Sequence, residues 1–138
     1  MSGEFVDTNV LLYAHDRTAG AKRDAAVALI TRLIDAQSGL LSTQVLMEFF
    51  VSATRKLPRP LDPNAAAGIV EDFGTWPLFT PSVSDILAAA KLGRRYGIHF
   101  WDALIVQGAL SMDADILWSE DLNAGQRYAG VLVRNPFA

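Results

Sequence analysis

Phe5-Val6-Asp7-Thr8-Asn9-Val10-Leu11-Leu12 is the stretch that decides the fold. Glu4 to Asp7 reads as a short apolar strand that ends on an acid, and a helical turn begins from Val10 to Tyr13. A strand that hands over to a helix is half of a βα unit. The question for the rest of the chain is whether that unit repeats.

It does. Ala21 to Ala36 is amphipathic, with Ala25, Leu29, Leu33 and Ala36 at helical spacing, and Gly39 is placed to follow its C-cap. Leu40-Leu41-Ser42 is a second strand candidate. Thr43 caps a helix from Gln44 to Lys56, which Pro58-Arg59-Pro60 ends. Asp62 and Pro63 read as N-cap and first helical residue of a helix to Phe73. Trp76 to Thr80 is a short third strand. Ser82 and Asp85 resemble a capping box opening a helix to Tyr96, where Gly97 stops it. A helix from Trp101 to Met112 follows, then strands at Ile116-Leu117-Trp118 and Val131-Leu132-Val133. Strands alternating with helices predict an α/β domain with a parallel sheet covered on both faces. Such sheets bind ligands at the carboxyl ends of their strands, where the strand order reverses.

Composition sets the outer bounds. A length of 138 residues suggests one domain, and 51% hydrophobic residues suffice for a core and argue against disorder. A net charge of −3 argues against a basic module that wraps polyanions. The chain has no cysteine, which excludes disulfide scaffolds, zinc ribbons, iron–sulfur clusters and thiol nucleophiles. Its two histidines, His15 and His99, are far apart, so any metal site must be built from oxygen ligands, which suit magnesium or manganese. Met1-Ser2-Gly3-Glu4 has no basic leader, and no apolar run is long enough to span a membrane, so the expected location is the cytoplasm. The absence of GxGxxG and of a Walker-type lysine loop excludes a nucleotide-binding Rossmann enzyme. A phosphoacceptor receiver is disfavoured because Asp7 is followed by Thr8-Asn9, not by a second acid.

Four acids stand in apolar surroundings: Asp7, Glu48, Asp102 and Asp121. Each has an ordinary reading. Asp7 can be an N-cap, Glu48 can join a polar stripe with Gln44, Ser52 and Arg55, Asp102 can be a first-turn acid favoured by the helix dipole, and Asp121 can cap a short helix. Their positions shift the balance. Asp7 and Asp121 fall at strand C-termini, Asp102 opens a helix that returns to the sheet, and Glu48 lies one turn into the helix after the second strand. In an open parallel sheet all four can converge on one edge. Their repulsion then calls for divalent cations, and the chemistry implied is metal-dependent phosphodiester hydrolysis.

The set Asp7-Thr8-Asn9, Glu48, Trp101-Asp102-Ala103-Leu104-Ile105, Ser119-Glu120-Asp121-Leu122 and Asn135-Pro136-Phe137 resembles the PIN-domain nucleases, and more narrowly the VapC-type toxin ribonucleases of bacterial toxin–antitoxin pairs. The resemblance runs from Phe5 to Phe137. It implies a three-layer α/β/α sandwich with a parallel sheet of about five strands. It implies that Asp7, Glu48, Asp102 and Asp121 form the catalytic metal site, with Asn9 and Ser119 orienting the acids. It further implies magnesium or manganese as cofactor, RNA as substrate, a homodimer and an antitoxin partner. The competing functions are a non-toxin RNA-processing nuclease and a catalytically inert binding module of the same fold.

The remaining residues speak to substrate. Nine arginines against three lysines suit phosphate contacts. Arg17, Lys22 and Arg23 follow the first acid, and Arg55, Lys56 and Arg59 follow Glu48. Of these, Arg17, Arg23, Arg55 and Arg59 are the RNA-binding candidates. Arg94 and Arg95 suit a helix C-terminus better than RNA. Trp101 and Trp118 lie in apolar runs and are expected in the core. Val45, Leu46, Phe49, Phe50, Ile69, Val70 and Phe73 form the core, with some to spare for a dimer seam or an antitoxin groove.

Overall fold

The computed structural model describes residues 3–138. Met1 and Ser2, part of the leader reading, lie outside the described residues. The chain alternates as expected: β1 (Gly3–Val6), α1 (Thr8–Ala14), α2 (Ala21–Ala36), β2 (Gly39–Ser42), α3 (Thr43–Arg55), α4 (Pro63–Phe73), β3 (Leu78–Phe79), α5 (Val83–Tyr96), α6 (Phe100–Ser111), β4 (Ala114–Trp118), β5 (Arg127–Tyr128) and β6 (Val131–Arg134).

The sheet order is β3-β2-β1-β4-β6-β5. The chain runs outward from β1 to β3, returns to β4 beside β1, and then runs outward the other way. The order therefore reverses between β1 and β4, and the carboxyl ends of those two strands are where a ligand site belongs. Five strands are parallel, and β5 pairs antiparallel with β6. The five parallel strands are the sheet expected, and β5 adds a short antiparallel sixth. It has only two residues and is defined by its pairing, with Gly130 at φ 101° in the turn. A strand that short leaves no periodicity to read.

Local signals hold at several termini. Asp62 caps α4 with Pro63 in its first turn, Ser82 and Asp85 form a capping box, and Gly97 ends α5 in the left-handed region at φ 63°. Two caps shift by a residue or more. Ser42, not Thr43, caps α3 through its contact with the Val45 N–H, and Gln37, not a residue beside Gly39, ends α2 at φ 53°. Gly39 instead opens β2, where a Cβ would lie 2.2 Å from the Trp76 ring.

Helices cover both faces of the sheet in a three-layer sandwich. α5 and α6 pack on each other, with α6 against β2, β4 and β6, while α1 packs on α2 and α3. Phe5, Leu117 and Val133 on neighbouring strands are fully buried, and so are Leu33, Phe49 and Val106 from the helices. Each such side chain contributes about 1.5–3 kcal/mol through burial. That core holds β1 and β4 in register, with Val6 opposite Trp118, and so sets the residues that follow each strand side by side. No helix among the described residues is long and apolar enough to cross a membrane.

Candidate active site

Asp7 follows β1 and caps α1, so its carboxylate sits where two backbones meet. Its Oδ1 accepts from the Thr8 N–H at 2.7 Å, and its Oδ2 accepts from Ser119 Oγ at 2.7 Å. Ser119 directly follows β4 and is fully buried. Its hydroxyl also accepts from the Asp121 N–H at 3.1 Å, so one side chain joins two of the acids. Asn9 makes a second clamp. Its Nδ2 donates to Asp121 Oδ2 at 3.1 Å, and its Oδ1 accepts from the Glu120 N–H at 3.2 Å. Asn9 and Ser119, expected as supporting residues, are thus both in hydrogen-bond contact with these acids.

Glu48 is reached from two sides. Thr8 Oγ1 donates to its Oε1 at 2.8 Å, and Gln44, one helical turn earlier, places Nε2 at 3.3 Å from its Oε2. Gln44 also donates to the Trp101 carbonyl at 3.1 Å. α3 is thereby tied to the first turn of α6, where Asp102 sits. Thr8 and Gln44 were not singled out as supporting residues in the sequence. The signal for Thr8 is its place beside Asp7. Gln44 carries one only in its four-residue spacing from Glu48.

The electrostatics tie the four acids together. Burial pushes the Asp7 carboxyl up to about 7; the Ser119 and Thr8 donors oppose this, and the charges of Asp121 and Glu48 add to it. Asp102 is also raised, first by burial and then by Asp121 and Glu48, with His99 opposing. Asp7 and Asp102 thus both feel the charges of Asp121 and Glu48.

No lysine or arginine among the described residues pairs with them. Among the described residues the ion pairs are Lys22–Glu120 at 2.6 Å and Arg32–Glu4 at 2.9 Å, and neither involves these acids. Asp102 is half-buried yet accepts no side-chain hydrogen bond among those residues. An all-carboxylate donor set with unneutralised charge suits a hard divalent cation. Even so, no three acidic or histidine side chains among the described residues stand, as oriented, in a ready-made cage for one ion.

Glu120 is separate from this set. Tyr13 donates to it at 2.8 Å and Lys22 pairs with it. Burial favours its protonation, but the Lys22 and Tyr13 donors outweigh burial and hold it below the ordinary carboxylate range. Lys22 and Tyr13 are thus occupied with Glu120. Arg17, Arg23, Arg55 and Arg59 are exposed, and none lines the hollows that border Asp121. Glu48 does not pair with Arg55.

Trp101 corrects an expectation. It is 62% exposed and packs edge-on against Phe100. α6 buries Ala103 through Val106 instead, while its first turn is drawn toward α3 by Gln44. Trp118 packs partly buried against the core, and its indole donates to Glu4. Phe50 is also exposed, as are Met47 and Val51 beside it. Together with Leu46, Ala67 and Val70 they line an apolar hollow between α3 and α4.

A doubly wound sheet with acids gathered at its central switch point defines the class of fold. Residues 5–129 match the PIN domain family, and the chain belongs to that family. Solved structures share the fold. The DNA-bound VapBC structure from Salmonella typhimurium is 17% identical, with a TM-score of 0.67 over 99% of each chain. FitAB bound to an IR36 DNA fragment is 19% identical, with a TM-score of 0.72 over 98% of this chain and 96% of that one. VapC20 of Mycobacterium tuberculosis, described as a toxin cleaving the sarcin–ricin loop, is 19% identical, with a TM-score of 0.65 over 86% and 92%. No curated protein matches the chain in sequence.

Proposed function

We propose that this PIN domain is a divalent-metal-dependent endoribonuclease and the toxin of a toxin–antitoxin pair. The observation that carries the nuclease reading is that Ser119 joins Asp7 to Asp121 beyond the ends of β1 and β4, where Glu48 and Asp121 line one hollow and no lysine or arginine among the described residues pairs with any of them. Asp7, Glu48, Asp102 and Asp121 are the residues that hold magnesium or manganese. The bound ion would supply an activated water and neutralise charge on the phosphate. The chain's own part is positioning. Ser119 holds Asp7 and the Asp121 backbone, Asn9 holds the Asp121 carboxylate, and Thr8 and Gln44 hold Glu48. The serine of this cluster, Ser119, is fully buried and its hydroxyl is engaged with Asp7 and the Asp121 N–H, so it orients the acids, and the reading is direct hydrolysis by water.

The toxin reading rests on kinship of fold with VapBC, FitAB and VapC20. An antitoxin partner and a homodimer follow from the same kinship. The exposed apolar side chains Met47, Phe50 and Val51 are in keeping with a protein-covered face. A cytoplasmic location accords with an RNA substrate.

The test is incubation of the purified, partner-free protein with total cellular RNA in magnesium, in manganese and in EDTA, beside Asp7→Asn. Cleavage that needs both metal and Asp7 supports the reading. Equal cleavage by Asp7→Asn, or cleavage that persists in EDTA, would remove it.

A further inference from the structure

Two adjoining hollows of about 450 and 370 Å³ share Asn9, Leu12, Ser52, Lys56 and Asp121. They form one groove between α1 and α3. It begins at Glu48 and Asp121 and ends at Leu57 and Pro58. Lys56 is the one lysine or arginine that lines either hollow, and it forms no ion pair among the described residues. It is exposed and lies just past α3, where its backbone N–H donates to the Ser52 carbonyl.

We infer that this groove carries the RNA strand away from the acid site and that Lys56 holds a phosphate neighbouring the one that is cut. The inference rests on the nuclease reading and adds a substrate-positioning residue to it. The physical need is clear. A polyanion approaching four carboxylates is repelled wherever the bound ion does not reach. A free ammonium in the same groove offsets that repulsion along the strand. Lysine acts there as a compact point charge, which suits a backbone phosphate and carries no base preference. The outer hollow also holds Glu120, which Lys22 neutralises, and Asp16, whose Oδ1 is engaged by the Thr18 N–H and hydroxyl; neither pairs with Lys56, which faces the substrate with its charge unspent. A cation past the end of α3 also favours the helix dipole. That role predicts a change in stability and none in RNA binding, so the two are separable.

The experiment measures binding of a short mixed-sequence single-stranded RNA across a salt series in magnesium buffer, on an Asp102→Asn background that prevents cutting. Adding Lys56→Gln is expected to weaken binding about 3- to 10-fold at low salt and to reduce the slope of log affinity against log salt by about 0.7. Lys56→Arg is expected to restore both. Lys91→Gln, an exposed lysine on α5 outside the groove, controls for net charge. Unchanged affinity and slope for Lys56→Gln, or an equal loss for Lys91→Gln, overturns the inference and leaves the groove to a protein segment. Manganese titration of the unsubstituted protein keeps the two readings apart. Its failure to bind removes the nuclease reading and this inference together. Binding with an unchanged Lys56→Gln slope removes this inference alone.

Discussion

Ser119 Oγ donates to Asp7 Oδ2 at 2.7 Å across 112 positions of sequence. The contact joins the residue after β4 to the residue after β1, and it is buried. It couples the strand pairing at the centre of the sheet to the acid on which the site is built.

Removing that hydroxyl tests the coupling. Ser119→Ala leaves the Asp7 carboxylate with one donor fewer, and the Asp121 backbone N–H loses its acceptor. Manganese affinity should fall about 10- to 100-fold, the usual effect of losing an outer-shell partner. Because the Ser119 bond lowers the Asp7 pKa, its loss moves the titration to higher pH. The acid limb of both metal binding and cleavage should shift upward in pH. An unshifted limb in calorimetric titrations would show that Asp7 does not control it.

Asp102→Asn tests the site itself. Asp102 accepts no internal side-chain hydrogen bond among the described residues, so the substitution removes a charge without orphaning a donor. The fold should persist by circular dichroism, with a melting temperature no lower than the parent's in metal-free buffer. Cleavage of RNA should fall by more than about 100-fold, beyond the effect of an outer partner. Full activity in a pure preparation would remove Asp102 from the site.

Asp7 also governs stability. Its folded pKa of about 7 lies above its ordinary 3.8. Between those values the folded state retains a proton that the unfolded state has lost, so stability falls as pH rises through this window. For the metal-stripped protein the loss between pH 4 and 7 is about 3 kcal/mol. Denaturant unfolding at several pH values should show that decline, and Asp7→Asn should flatten it. Added manganese should offset the loss at neutral pH by mass action.

Gly108 tests the sandwich. A Cβ there would lie 2.9 Å from the Phe79 ring and 3.3 Å from the Phe5 ring, both buried. Gly108→Ala gains about 1 kcal/mol of helix propensity and loses about 1–3 kcal/mol to overpacking. The net expectation is a destabilisation of about 1 kcal/mol, read as a lower urea midpoint with unchanged slope. A higher midpoint would mean that the rings move aside freely.

Local signals made much of this legible in advance. Pro63 after Asp62, the Ser82–Asp85 pair and Gly97 each act through backbone chemistry within a few residues, and each structural element ends where they place it. β5 was not legible, because two residues carry no period and its existence depends on β6. Trp101 misled because an apolar neighbourhood in sequence says which residues are greasy, not which side of a helix meets the sheet. The bridging of Gln44 between Glu48 and the Trp101 carbonyl spans 57 positions, and no local pattern encodes it. The same holds for Lys56, whose interest lies in the groove and not in its flanking residues.

By itself, then, the sequence determined the alternation of strands and helices, the absence of thiol chemistry, and which four acids sit in apolar surroundings. Those properties follow from residue type and short-range spacing. Only the tertiary structure decided that β1 lies beside β4, that Asp7 shares its charge environment with Asp121 and Glu48, and which polar side chains hold them. These are decided by packing between distant segments, because burial and carboxylate repulsion act through space and depend on which strands the core brings together.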